Sequence, residues 1–321
     1  MHRSRSVARR RVAWSGVLGA GILAVAGSAA ADPQAAPSHS PQPLQEVTVN
    51  AQQQPDVHTL ERVIIPRFVK SHGKPSSFSG QLGRWSKPYS ICPSTIGLEP
   101  AAAEFISRRI TTLAASVGAP VAPHGRCLPN VEIIFTANPQ EQVSYFASNY
   151  RALLGYDTGS LRDRVTFSHQ IRAWYSTATH TSGAGWKIDS DRPPIAISDP
   201  PVKINEQEAG SGGRFTKTMR SGIINVLIIA DAKQVSQHSL RSVADYISML
   251  VLTRTSVDGC SALPSIVDLF STDCADRAPP ESITPADRAY LKALYTADLE
   301  NNLNLEQNDL HDRMAREMLG R

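Results

Sequence analysis

The sequence predicts an α+β fold: a mixed β-sheet with a buried central helix and a helical carboxy-terminal part. Three observations carry that expectation. Gly222 to Ile229 is almost continuously apolar and β-branched, the pattern of a strand covered on both faces. Leu240, Val243, Ile247, Leu250 and Val251 then recur at helical spacing, with Met249 and Leu252 widening the stripe until little of that helix can face water. Thr284-Pro285 with Asp287 opens a further helix through Tyr290, Leu291, Leu294 and Tyr295, and Leu310, Met314 and Met318 follow at steps of four.

Taken in order, the chain opens with Arg3, Arg5, Arg9, Arg10 and Arg11, an apolar stretch from Val12 to Ala26, and small residues up to Ala31. That is the layout of a secretory signal peptide over 1–31, cleaved near Ala31, and its apolar run is too short and Gly-rich for a membrane anchor. The three consecutive arginines leave both the general and the twin-arginine export routes open. The whole chain carries 33 Lys and Arg against 29 Asp and Glu, a net charge of +4. Cleavage leaves 28 basic residues against the same 29 acids, a net charge of −1, so the basic balance belongs to the leader and nucleic acid is not an expected partner. No later stretch is long and apolar enough to be a transmembrane segment. The mature protein is expected in the periplasm or secreted.

Residues 32–56 are rich in Pro, Gln, Ala and Ser, with too little apolar surface to offset chain entropy, and read as a disordered leader. Residues 57–321 read as a single domain, with room for a smaller amino-terminal lobe over 57–155. Order begins near Leu60, followed by a loop from Gly80 to Pro93 pinned by Trp85, Tyr89 and Cys92. A helix is expected from Pro100 to Val117, a strand over Val131–Phe135, and a capped helix start at Asn138-Pro139-Gln140-Glu141. Leu161 to Thr177 should contain a second strand, with Ile171, Ala173 and Tyr175 alternating against Arg172, Trp174 and Ser176. Thr179 to Ser221, rich in Gly, Ser, Asp and Pro, reads as a long irregular loop, and Ala262–Phe270 as a short helix.

The four cysteines, all beyond the leader, read as disulfides in an oxidising setting. Proximity favours Cys92 with Cys127 and Cys260 with Cys274 among the three pairings, and the lack of a CxxC argues against a metal site. No cofactor motif is present: Gly210-Ser211-Gly212-Gly213 lacks both the lysine of a phosphate loop and the strand-to-helix elbow of a nucleophilic serine. His169, His180 and His238, with Asp231, are the residues to test first for a dispersed hydrolase site. Trp186, Lys187, Asp189, Asp191 and Arg214 set an aromatic group among charges on the irregular segment, which is either a binding face or a loop that Trp186 packs onto the domain.

Three short resemblances bear on function. Glu46-Val47-Thr48-Val49-Asn50-Ala51 resembles the Glu-Val-Thr-Val segment near the mature amino terminus of TonB-dependent outer-membrane receptors, which implies the cell envelope. Asp157-Thr158-Gly159-Ser160 resembles the loop of aspartic proteases, whose chemistry needs a second such carboxylate that this chain does not repeat. The order of strand, central helix, cysteine-bearing loop and closing helices resembles a secreted zincin-type metallopeptidase domain, and exported bacterial proteins of unassigned function with degenerate versions of it. Where such an enzyme carries His-Glu-x-x-His, this helix has Ala244-Asp245-Tyr246-Ile247-Ser248. The expectation is therefore an envelope domain that binds a protein or polymer without catalysis, with a peptidase-like hydrolase as the alternative.

Overall fold

A computed structural model describes residues 56–321 apart from 124, 126, 157–160, 182–184, 190–218, 256–258, 275–276 and 298–302. Helices α1 (Val57–Thr59), a π-helical turn Leu60–Ile64 and α2 (Ile65–His72) lead into β1 (Pro93–Ile96) and α3 (Pro100–Ser116). Next come β2 (Val131–Thr136), α4 (Pro139–Asn149), a 3₁₀ turn Arg151–Leu154 and α5 (Leu161–Arg164). Strands β3 (Ile171–Thr181), β4 (Gly185–Ile188) and β5 (Met219–Asp231) follow, then α6 (Ala232–Val235) and the central helix α7 (Leu240–Leu252). A 3₁₀ turn Ile266–Phe270, α8 (Pro285–Thr296) and α9 (Leu303–Leu319) complete the order.

The five strands form one mixed sheet in the order β1-β2-β5-β3-β4, parallel from β1 to β5 and antiparallel from β5 to β4. The α+β fold with a mixed sheet is as the sequence predicts. β5 lies at its centre because its residues are apolar in both directions: Val226, Ile228 and Ala230 enter the larger core, and Leu227 and Ile229 enter a smaller one with Val143, Phe146 and Trp174. Burying one such side chain stabilises by roughly 1.5–3 kcal/mol, so a strand with two apolar faces must be sandwiched. All of α7 from Ser242 to Leu252 is buried. It is clamped to α3 by Arg109, whose Nε and Nη2 donate to Asp245 at 2.5 and 3.0 Å, and the same carboxylate accepts the Ile283 amide at 2.9 Å.

An irregularity beside Ser176 and Thr177 decides what the far end of β5 presents. Ser176 pairs with Asn225 but Thr177 with Ile223, leaving Ile224 without an opposite residue. One extra residue reverses the alternation of the strand, so Ile223 returns to the larger core while Gly222 and Arg220 face the other way.

Both disulfides have the expected pairing, Cys92–Cys127 and Cys260–Cys274. Several local expectations are corrected. The second strand starts at Ile171, where its alternation does, but runs past Thr177 to Thr181, and Leu161–Arg164 before it is a short helix. The residue at the start of α4, Asn138, makes no side-chain cap; its amide instead donates to Thr136 Oγ1 at 3.1 Å. The short helix expected from Ala262 is a 3₁₀ turn confined to Ile266–Phe270. The stretch Thr179–Ser221 is not one irregular loop: its two ends are strand, and β4 lies within it.

Candidate functional site

At the edge where β5 begins, three strands set one row of side chains side by side. His180 of β3 is directly opposite Arg220 of β5 and Trp186 of β4, so all three share one face of the sheet. The Trp186 ring stands 5.2 Å from the His180 ring and meets Tyr89 edge-on at 5.8 Å. It lies over Gly222, where an added Cβ would fall 2.6 Å from the indole. Only a residue without a side chain leaves that space.

The row borders a cleft of about 180 Å³, walled on its far side by Arg84, Ser86 and Lys87. Lys87 and Arg220 are exposed, and His180 and Trp186 half-buried. Arg84 Nη1 donates to the Leu294 and Ala297 carbonyls at 2.7 Å each, and the buried Glu306 carboxylate accepts the Leu82 amide at 3.0 Å. The wall is thereby tied to α8 and α9. Ser221 also lines the cleft; it is buried and, among the described residues, its Oγ has no hydrogen-bond partner. Three cations against one carboxylate, beside an indole and a spare hydroxyl, suit an anionic group carried on a ring or apolar body.

Asp189, expected as an exposed charge on a loop, is a correction: it is 4 % exposed and closes the β3–β4 hairpin. Its carboxylate accepts from Thr177 Oγ1 at 2.6 Å and Thr179 Oγ1 at 2.8 Å, with Ser76 Oγ at 3.5 Å. Burial pushes its pKa up, against the downward pull of these hydroxyls. Lys187 is exposed on β4, next to Trp186. Asp191, Arg214, Ser211 and the Asp157–Ser160 segment lie outside the described residues, as do the leader segments 1–31 and 32–55.

The residues chosen for hydrolysis are not brought together. Asp231 accepts the amides of Lys233 and Gln234 at 2.9 and 3.2 Å as the cap of α6, and its own amide bonds Gln170, beside the exposed His169. His180 lies near the opposite end of β3, about 30 Å away at the rise of an extended strand. His238 packs edge-on against Phe270 at 4.8 Å. On α7, Ala244 and Ser248 are closed into the core, and Asp245 is the partner of Arg109. Among the described residues, Cys260, Asp268 and Cys274 are grouped closely enough for a metal, but the two sulfurs are already bonded to each other.

A second polar cluster went unseen in the sequence because its members are far apart in the chain. His72, Ser265 and Asp287 are all at most 1 % exposed. His72 Nε2 is 3.0 Å from Ser265 Oγ, which is 2.5 Å from Asp287 Oδ1; Asp287 Oδ2 accepts the amides of Ile266 and Thr284 at 2.9 Å. His72 Nδ1 lies 2.9 Å from the Phe68 carbonyl and 3.0 Å from Ser71 Oγ. Burial lowers the His72 pKa to about 4, which keeps the ring neutral, and pushes that of Asp287 up against the downward pull of its hydroxyl and amide donors. These three residue types are those of a hydrolytic triad, yet here the serine is sealed and shared between both partners. The cluster locks α2 to α8, and Asp287 also completes the capping box with Thr284 that the sequence announces.

Compared with known proteins, the chain finds no significant match to a family model, a curated protein or a solved structure.

Proposed function

We propose that this is an exported cell-envelope domain that binds, without catalysis, one unit of an anionic envelope glycan in the Trp186 cleft. The observation that carries the reading is the row Arg220–His180–Trp186 facing Lys87 across a cleft with an unpartnered hydroxyl. Ligand pockets for whole small molecules usually span about 300–1,000 Å³, whereas about 180 Å³ suits a single unit of a polymer. The indole offers a flat face for a sugar ring, and the exposed cations attract its carboxylate or phosphate. Two formed disulfides accord with an oxidising compartment, and among the described residues no helix is long and apolar enough to cross a membrane. The signal-peptide layout of residues 1–31 accounts for the route. The hydrolase reading has less support, since His180 sits at the end of β3 opposite to His169 and Asp231.

The test is a tryptophan-fluorescence titration of the chain from Asp32, with polygalacturonate as the anionic glycan and dextran as the neutral one. Binding of the first alone, weakened by salt and lost in Trp186→Ala and Arg220→Gln, is expected. Equal response to dextran, or binding unchanged by both substitutions, would overturn the reading.

A further inference from the structure

The disulfide Cys260–Cys274 is held asymmetrically. Cys260 is exposed and Cys274 half-buried. Arg277 Nη2 donates to Cys260 Sγ at 2.7 Å and to the Ser261 carbonyl at 2.7 Å, and reaches Asp268 Oδ2 at 3.3 Å. Asp268 is buried and takes two further donors from Ser261, its amide at 3.0 Å and its hydroxyl at 2.6 Å. The carboxylate is therefore already solvated by Ser261 and anchors the guanidinium, while a nitrogen of that group is aimed at one sulfur only. A disulfide sulfur is neutral and a weak acceptor, so this donor gains far more once the sulfur becomes a thiolate. In thiol–disulfide exchange the sulfur that leaves more easily is the one whose thiolate is better stabilised.

We propose that Cys260–Cys274 is a thiol-exchange site, at which an external thiolate attacks Cys274 Sγ and Cys260 leaves as a thiolate held by Arg277. A new S–S bond joins the external thiol to Cys274 as the Cys260–Cys274 bond breaks. A second external thiolate then attacks the external sulfur of the adduct and frees Cys274, so that two thiols are oxidised to one disulfide while the protein disulfide takes up two electrons. The reactant is a small thiol or an exposed dithiol of the envelope. The site is independent of the glycan cleft.

Cys92–Cys127, with Cys92 buried at 6 % exposure, is an internal control in the same molecule. The oxidised chain from Asp32 is equilibrated in buffers of reduced and oxidised glutathione, quenched with acid, alkylated and mapped by peptide mass spectrometry. Cys260–Cys274 is expected to open at about tenfold lower reduced glutathione than Cys92–Cys127, with the adduct on Cys274. Arg277→Gln should slow opening by about tenfold and spread the adduct over both sulfurs, and Arg277→Lys, which keeps the charge, should retain the preference for Cys274. Simultaneous opening of the two disulfides, an adduct on Cys260, or a wild-type pattern in Arg277→Gln overturns the proposal.

Discussion

Two histidines of this molecule, His72 and His180, sit in polar clusters of opposite design. His72 has both ring nitrogens engaged, stacks on Phe68 at 3.8 Å and meets no solvent. His180 lies half-open between Trp186 and Arg220, in a cleft whose serine hydroxyl has no partner among the described residues. The difference separates polar groups that hold a fold from polar groups left over for something else: the first are paired with one another inside the core, and the second face a cleft. Substitutions in the closed cluster should therefore cost stability, and those in the open one binding.

The largest effect is expected from Asp287→Ala, which strands the Ser265 hydroxyl and the Ile266 and Thr284 amides. Each buried group left unmade costs roughly 1–3 kcal/mol, so a loss of about 3–5 kcal/mol in urea denaturation is expected. Asp287→Asn keeps an oxygen for the Ile266 and Thr284 amides but sets an NH2 group against Ser265, and should cost about 1–3 kcal/mol, less than Asp287→Ala. If Asn proves as damaging as Ala, the bond to Ser265 rather than the two amides carries the loss.

Next in size is a pH effect read in that Asn background, where only the ring titrates. The folded pKa of His72, about 4, is below its ordinary 6.5, so its contribution is present above pH 6.5 and lost as the pH falls to about 4. Over that window about 3 kcal/mol should disappear. In the wild type Asp287, with a raised pKa, works in the other sense: its protonated form favours the fold at low pH and that contribution is lost as the pH rises through its folded pKa. The wild-type profile over the same window should be flatter than that of Asp287→Asn, as chemical denaturation across pH 4–7 will show.

Gly222→Ala tests where the two designs meet. Its methyl group would land on the Trp186 indole, and such overpacking costs about 1–3 kcal/mol while displacing the ring from the cleft. Binding should fall with stability. Smallest of all in thermodynamic terms, Trp186→Ala should cost about 1 kcal/mol or less in unfolding, because the ring is half-buried, yet abolish the fluorescence response to polygalacturonate. A large loss of stability in that variant would make the indole a packing residue and the cleft a closed cluster after all.

How much of this was legible in the sequence follows the range of the interactions. The apolar run of β5, the stripe of α7 and the Thr284 capping box are local patterns, and the structure places them where those patterns do. So are the two disulfides, joining cysteines 35 and 14 residues apart. What escaped depends on partners distant in the chain. His72 and Ser265 are separated by 193 residues, and nothing in either neighbourhood points to the other. Strand β4 was hidden because its four residues, Gly185 to Ile188, are too few for an alternation to stand out in a Gly- and Ser-rich stretch. Asp189 read as a loop charge because its donors, Thr177 and Thr179, belong to the preceding strand, and their hydroxyls give no sign of their target. Trp186 and His180 were both singled out, for different reasons; only the register of β3 with β4 makes them neighbours.

The ties that hold the wall of the cleft also set an order of events. Arg84 reaches the Leu294 and Ala297 carbonyls, 210 and 213 residues further on, and Leu82 is bonded by Glu306 across 224. Contacts of such separation close late, after local helices and the sheet have formed, because loop entropy must be overcome first. Under the export proposed above, a chain threaded across a membrane amino-terminus first by the general route would therefore carry an unfinished site until α8 and α9 had emerged. On the binding proposed above, a polymer met on the way out would find no cleft to enter, and competence to bind would arrive together with the end of translocation.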